Sequence, residues 1–250
     1  MQKYTFNSDF ATDFEHIAPK NNLPTVLYLH GFCSNAWGRE PETIKKVCLD
    51  QGLGLVRFDF AGHGSDVDNF EKADFLIWKN QVFEIIENVI SGNVIMIGSS
   101  MGGWLSMLAA IRYPNRVKGL IGLAAAPNFV KYFADQMTAE QKQELEHNGK
   151  FKIINNDFEY TITAQFIETA FASMLPENQP WNIDCPVHLL QGMRDASLPW
   201  RFALDFASQI TSPNVIIKIL KNSNHRLNDD VALREICSSV KNITSCIDVL

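Results

Sequence analysis

No apolar run in this 250-residue chain is long enough to cross a bilayer. The longest, such as Leu120 to Pro127, fall far short of the roughly 20 residues that a spanning helix needs. Paired cysteines are also missing. The five present (Cys33, Cys48, Cys185, Cys237 and Cys246) are odd in number, widely scattered and without a C-x-x-C pair. That pattern argues against a disulfide framework and a structural zinc site, and suits reduced thiols. There is no basic excess: 22 Lys and Arg stand against 28 Asp and Glu, a formal charge of −6. A nucleic-acid binder would need the opposite balance. Gly (14) and Pro (10) are too few for a collagen-like or low-complexity chain. The first 20 residues have no continuous apolar core and carry Asp9, Asp13 and Glu15. Neither a secretory signal nor an Arg-rich, acid-poor transit peptide is expected there, and the expected location is cytoplasmic.

What is present is an ordinary globular composition, 46% apolar and 20% charged. A chain of this length buries a core that needs no disulfide or metal to hold it. Short β-branched runs alternate with amphipathic stretches. Strands are expected at Thr25 to Leu29, Gly54 to Asp59, Asn93 to Ile97, Val117 to Ala124, Pro186 to Gln191 and Asn214 to Leu220. Helices are expected at Glu42 to Gln51, Phe75 to Ile90, Met101 to Tyr113, and near Trp200 to Ile210 and Val231 to Val240. This alternation predicts an α/β fold: a mostly parallel central sheet with helices on both faces. Residues 128–184 break the rhythm. They are rich in Gln, Glu and Asn with interleaved aromatics, show no convincing buried strand, and are too many for a simple connection. They read as helices and loops forming a cap inserted into a core of residues 1–127 and 185–250.

Gly98-Ser99-Ser100-Met101-Gly102 is a G-x-S-x-G motif that directly follows an apolar strand and opens a helix. That context is what a nucleophile elbow requires, with glycines relieving the crowding of a sharp turn. Ser100 has glycine two residues away on both sides. Ser99 has Ile97 and Met101 there instead, so Ser100 is the candidate nucleophile. A serine needs a base, and the base an orienting acid; in such an architecture the order along the chain is Ser, acid, His. Three histidines follow. His147 lies in a polar stretch and His188 inside an apolar strand. His225 follows the last strand, at the carboxyl end where sites in open α/β sheets collect. Asp195, just past the penultimate strand, is the matching acid. Asp184 precedes that strand, and Asp229 and Asp230 suit a helix N-terminus. Two backbone N–H groups are expected to face a developing oxyanion, those of Met101 and of Phe32 in His30-Gly31-Phe32. His30 and His63 are expected to order their loops.

On these motifs the chain resembles the α/β-hydrolase superfamily over essentially its whole length. Gly98 to Trp104, Gly192 to Trp200 and Ser223 to Arg226 are similar, more narrowly, to the family of the mycophenolic acid acyl-glucuronide esterase and protein depalmitoylase, with its bacterial relatives. The resemblance implies an α/β-hydrolase fold with a helical cap insertion. It also implies cleavage of esters or thioesters of a hydrophobic acyl group through Ser100, Asp195 and His225, without metal or organic cofactor. The expected partner is a small-molecule or acylated substrate, with no nucleic acid and no membrane insertion; the oligomeric state stays open, and a monomer is compatible with it. The same triad serves C–C hydrolysis and peroxidation, and aminopeptidase chemistry given an acidic amine-binding group. A non-catalytic receptor on this fold can also keep it. A serine at position 100 argues against the branches that use an aspartate nucleophile. Residues 128–184 hold four Lys against nine Asp and Glu, nearly the whole net charge, together with nine aromatics. Most of those aromatics are expected to pack within the cap and the remainder to line an acyl pocket. The local charge disfavours polyanionic substrates such as acyl-coenzyme A.

Overall fold

The computed structural model describes residues 2–155 and 158–247. In chain order the strands are β1 (Gln2–Thr5), β2 (Ala11–Ile17), β3 (Thr25–Leu29), β4 (Gly54–Phe58), β5 (Val94–Ser99), β6 (Val117–Leu123), β7 (Lys150–Asn155), β8 (Phe158–Thr163), β9 (Val187–Gly192) and β10 (Val215–Leu220). The helices are α1 (Arg39–Gln51), α2 (Phe75–Glu84), α3 (Met101–Arg112), α4 (Phe129–Gln136), α5 (Ala139–Asn148), α6 (Ala164–Ala172), α7 (Phe202–Gln209) and α8 (Asp230–Ile247). Eight strands form one sheet in the order β1-β2-β4-β3-β5-β6-β9-β10. All neighbours from β4 to β10 are parallel, and β1 and β2 are antiparallel.

The central strands β3 and β5 are buried nearly throughout, without alternation, because both their faces are covered. Val26 and Tyr28 of β3 face one core layer, with Ile44 and Val47 of α1 and Ile236 and Val240 of α8. Leu27 and Leu29 face the other, with Trp78 of α2 and Trp104 of α3. The chain winds outward from β3 to β4, then returns to β5 on the opposite side of β3. Loops leaving the carboxyl ends of β3 and β5 therefore diverge to opposite faces, and a crevice opens between them.

Two features go beyond the sequence expectations. The β1–β2 ribbon extends the sheet, and β7 and β8 form a separate antiparallel hairpin, so residues 128–184 are not helices and loops alone. In the hairpin Lys150, Lys152, Glu159 and Thr161 alternate with Phe151, Ile153, Tyr160 and Ile162. That period of two marks strands with one buried face, and a search for continuous apolar runs passes over it. Phe151, Tyr160 and Phe166 do not build a private core. They join the layer that holds Trp78 and Trp104. Phe171 is exposed, and the side chains of Phe158 and Asp157 lie outside the described residues. Among the described residues no helix is long and apolar enough to cross a membrane.

Candidate active site

Ser100 sits between β5 and α3 with φ 51° and ψ −114°, a strained conformation for a residue with a side chain. Its surroundings hold it there. Its N–H donates to Leu123 O at 2.9 Å, and its carbonyl accepts from Gly103 N at 2.9 Å and Ala126 N at 3.0 Å. The motif glycines are required by contact. A Cβ at Gly98 would stand 2.1 Å from Gly102 O, and one at Gly102 would stand 2.1 Å from Leu29 O. The turn therefore packs directly on the end of β3. The loop after β3 meets it: a Cβ at Gly31 would lie 3.2 Å from Ser100 Cβ.

Asp195 and His225, 30 residues apart in sequence, meet beyond the carboxyl ends of β9 and β10. His225 Nδ1 lies 2.7 Å from Asp195 Oδ2. Asp195 also accepts from the Ser197 and Leu198 amides, each at 2.8 Å, and from Gln191 Nε2 at 2.7 Å. Burial works to raise its carboxyl, but the bond and charge of His225 and the two amides outweigh it, and its pKa is lowered. Sequence reasoning missed Gln191. An amide inside an apolar strand was the only signal for it. Of the rejected acids, Asp184 takes a hydrogen bond from Thr211, and Asp229 accepts from Val231 N and Ala232 N at the start of α8.

His30, His63 and His147 are placed as expected, whereas His188 is a core histidine whose Nδ1 has no hydrogen-bond partner among the described residues. His30 is fully buried, with Nε2 accepting from Phe60 N at 3.0 Å and Nδ1 donating to Gly31 O at 2.8 Å. Burial lowers its pKa against the raising effects of Asp59 and Gly31, so the ring is a neutral clamp between two loops. His63 accepts from Cys33 N at 3.2 Å through Nε2 and donates to Ala61 O through Nδ1. Burial, then the neighbouring His30, holds it well below the usual histidine range. His147 is exposed on α5. His188 is buried in β9, where burial and then Lys218 push it down to about 4. Between the loops tied by His30 and His63, Phe32 N–H donates to no acceptor among the described residues, and neither does Met101 N–H.

Ser100, His225 and Phe32 line one cavity of about 1210 Å³. Phe129, Tyr132, Phe133 and Tyr160, all from residues 128–184, form an aromatic wall. The Phe32 ring is keyed into that segment, stacked on Phe166 at 5.2 Å and tilted against Phe129 at 5.5 Å. Tyr28, Trp37 and Glu40 form another wall, which the sequence did not signal.

A sequence model described as the alpha/beta hydrolase fold matches residues 24–149. The chain is 33% identical over 213 residues to the rat palmitoyl-protein thioesterase ABHD10, covering 84% of this chain and 71% of that one. The solved structure of mouse alpha/beta hydrolase domain-containing protein 10 superposes with a TM-score of 0.86 at 28% identity, over 98% of both chains. A putative hydrolase from Agrobacterium vitis S4 shares the fold, with a TM-score of 0.87 at 24% identity over 97% of both chains. The expected cytoplasmic location is corrected by this comparison, because the rat relative is named as mitochondrial. Scattered cysteines do not distinguish one reducing compartment from another.

Proposed function

Because the chain belongs to the α/β-hydrolase fold family, we propose that it hydrolyses carboxylic esters or thioesters of hydrophobic acyl groups through Ser100, His225 and Asp195. One observation carries the proposal: the 2.7 Å bond from His225 Nδ1 to Asp195, at a cavity that His225 shares with the strained Ser100 turn. Asp195 fixes the ring so that Nδ1 holds a proton and Nε2 is the base. His225 takes the Ser100 proton as Oγ attacks the acyl carbonyl. The N–H groups of Phe32 and Met101 receive the developing oxyanion, which is the largest electrostatic contribution such a site makes. The tetrahedral intermediate collapses to an acyl-serine, and the departing alcohol or thiol takes its proton from His225. Water, activated by the same ring, then releases the acid.

Residues 128–184 act as a cap over this site, between core segments 1–127 and 185–250. The cap's aromatic wall suits an apolar acyl chain, and the name of the rat relative, a palmitoyl-protein thioesterase, supports that class. The acidic excess of the cap weighs against polyanionic leaving groups. Ser100→Ala should lower kcat on p-nitrophenyl butyrate by on the order of 10⁴-fold or more. Activity in that variant within tenfold of the parent would refute the nucleophile assignment.

A further inference from the structure

The cavity reaches both faces of the sheet. Phe129 and Phe133 pack toward the layer of α2 and α3, whereas Tyr28 belongs to the layer of α1 and α8. Ser100 stands between them, at the carboxyl end of β5. The acyl part and the leaving group extend in different directions from the carbonyl carbon. With the acyl chain on the aromatic wall, the leaving group faces the wall of Tyr28, Trp37 and Glu40. Most polar atoms of that wall are already engaged. Trp37 Nε1 donates to Asp59 Oδ2 at 2.8 Å, and Arg57 binds Glu15, Glu42 and Ala36 O. Glu40 differs. It is only 8% exposed, it accepts from the Tyr28 hydroxyl at 3.1 Å through Oε1, and Oε2 has no partner among the described residues.

We propose that Glu40 and Tyr28 form a leaving-group subsite that selects esters of uncharged, hydroxyl-bearing alcohols. This rests on the hydrolase reading of Ser100. Burial pushes the Glu40 carboxyl up to about 8, so at neutral pH it is mostly protonated and carries a donor of its own. The Tyr28 hydroxyl, whose O–H donates a hydrogen bond to Glu40, keeps a lone pair as acceptor. A donor beside an acceptor, with no net charge, matches a hydroxyl group, which both accepts and donates. A site built to bond a hydroxyl rejects an analogue without it, because its buried polar atoms are then left unpaired.

The test compares glyceryl monobutyrate with propyl butyrate, which share the acyl group and the three-carbon alcohol skeleton. The kcat/KM ratio of the two is read for the parent, Glu40→Gln, Glu40→Leu and Tyr28→Phe. A ratio is independent of the folded fraction. The parent should favour the glyceryl ester by about tenfold or more. Glu40→Leu should bring the ratio close to one, and Tyr28→Phe should lower it in part. Glu40→Gln, which keeps a donor, should retain most of it. A parent ratio near one, or a Glu40→Leu ratio equal to the parent's, would overturn the subsite. p-Nitrophenyl butyrate separates the two failures. A parent enzyme that cleaves it yet shows no ratio refutes only the subsite, whereas one that cleaves none of the three esters refutes the hydrolase reading as well.

Discussion

Replacing Glu40 by glutamine removes one ionisation and leaves the shape of the side chain almost unchanged. Glu40 sits in the first turn of α1 with burial raising its carboxyl from 4.5 to about 8, while the Tyr28 bond lowers it. The folded protein thus holds a proton that the unfolded chain releases near 4.5. Between those values the unfolded state binds fewer protons, so stability falls as pH rises through the window and levels off above about 8. At about 1.4 kcal/mol per pH unit the full effect is roughly 3–5 kcal/mol. The carboxylates with lowered pKa values, Asp13, Glu15, Glu140, Asp195 and Asp229, act with the opposite sign, lose their contribution below the window, and are common to both proteins. Urea unfolding of parent and Glu40→Gln at pH 5, 6, 7, 8 and 9 measures the difference. The stability gap should widen in favour of the variant by roughly 3–5 kcal/mol from pH 5 to pH 9. Parallel curves across that range would refute the claim that Glu40 is buried as a neutral acid.

Gly102→Ala places a methyl group 2.1 Å from Leu29 O, a backbone atom in the centre of the sheet. It should destabilise the protein by roughly 3 kcal/mol or more in urea unfolding, and a loss under 1 kcal/mol would show that α3 can shift away from β3. Gln191→Leu removes a buried donor from the oxygen of Asp195 that also binds His225. A charge-assisted bond of that kind is worth roughly 1.5–3 kcal/mol. The expected result in steady-state ester hydrolysis is a kcat lowered about 10- to 100-fold with KM unchanged, and a change below twofold would remove Gln191 from the positioning of the acid.

The parallel sheet was legible because strands covered on both faces must be apolar throughout, as β3 and β5 are. The β1–β2 ribbon was not, since only alternate residues such as Thr12 and Phe14 are buried in β2. The same physics hid the β7–β8 hairpin. Ser100, Asp195 and His225 could be chosen from their places relative to strand ends, and the structure brings the last two into contact. Glu40 could not be chosen in this way. In sequence it is an ordinary acid in the first turn of a helix, where solvent and the helix dipole would keep it ionised. Its burial against Tyr28 follows from the packing of α1 on β3, which no local pattern announces.

Phe32 is proposed to serve catalysis through its backbone alone, yet its ring is gripped by buried aromatics behind the cavity wall. It stacks on Phe166 of the cap and lies edge-on to Phe70 and Trp78 of the core. Any repacking of the proposed cap to admit a different acyl chain therefore levers on the amide proposed to face the oxyanion. Substrate range and turnover rate are not separate traits in such a scaffold. A change of selectivity through the cap would carry a change of rate with it, unless a second substitution restored the seat of that one ring.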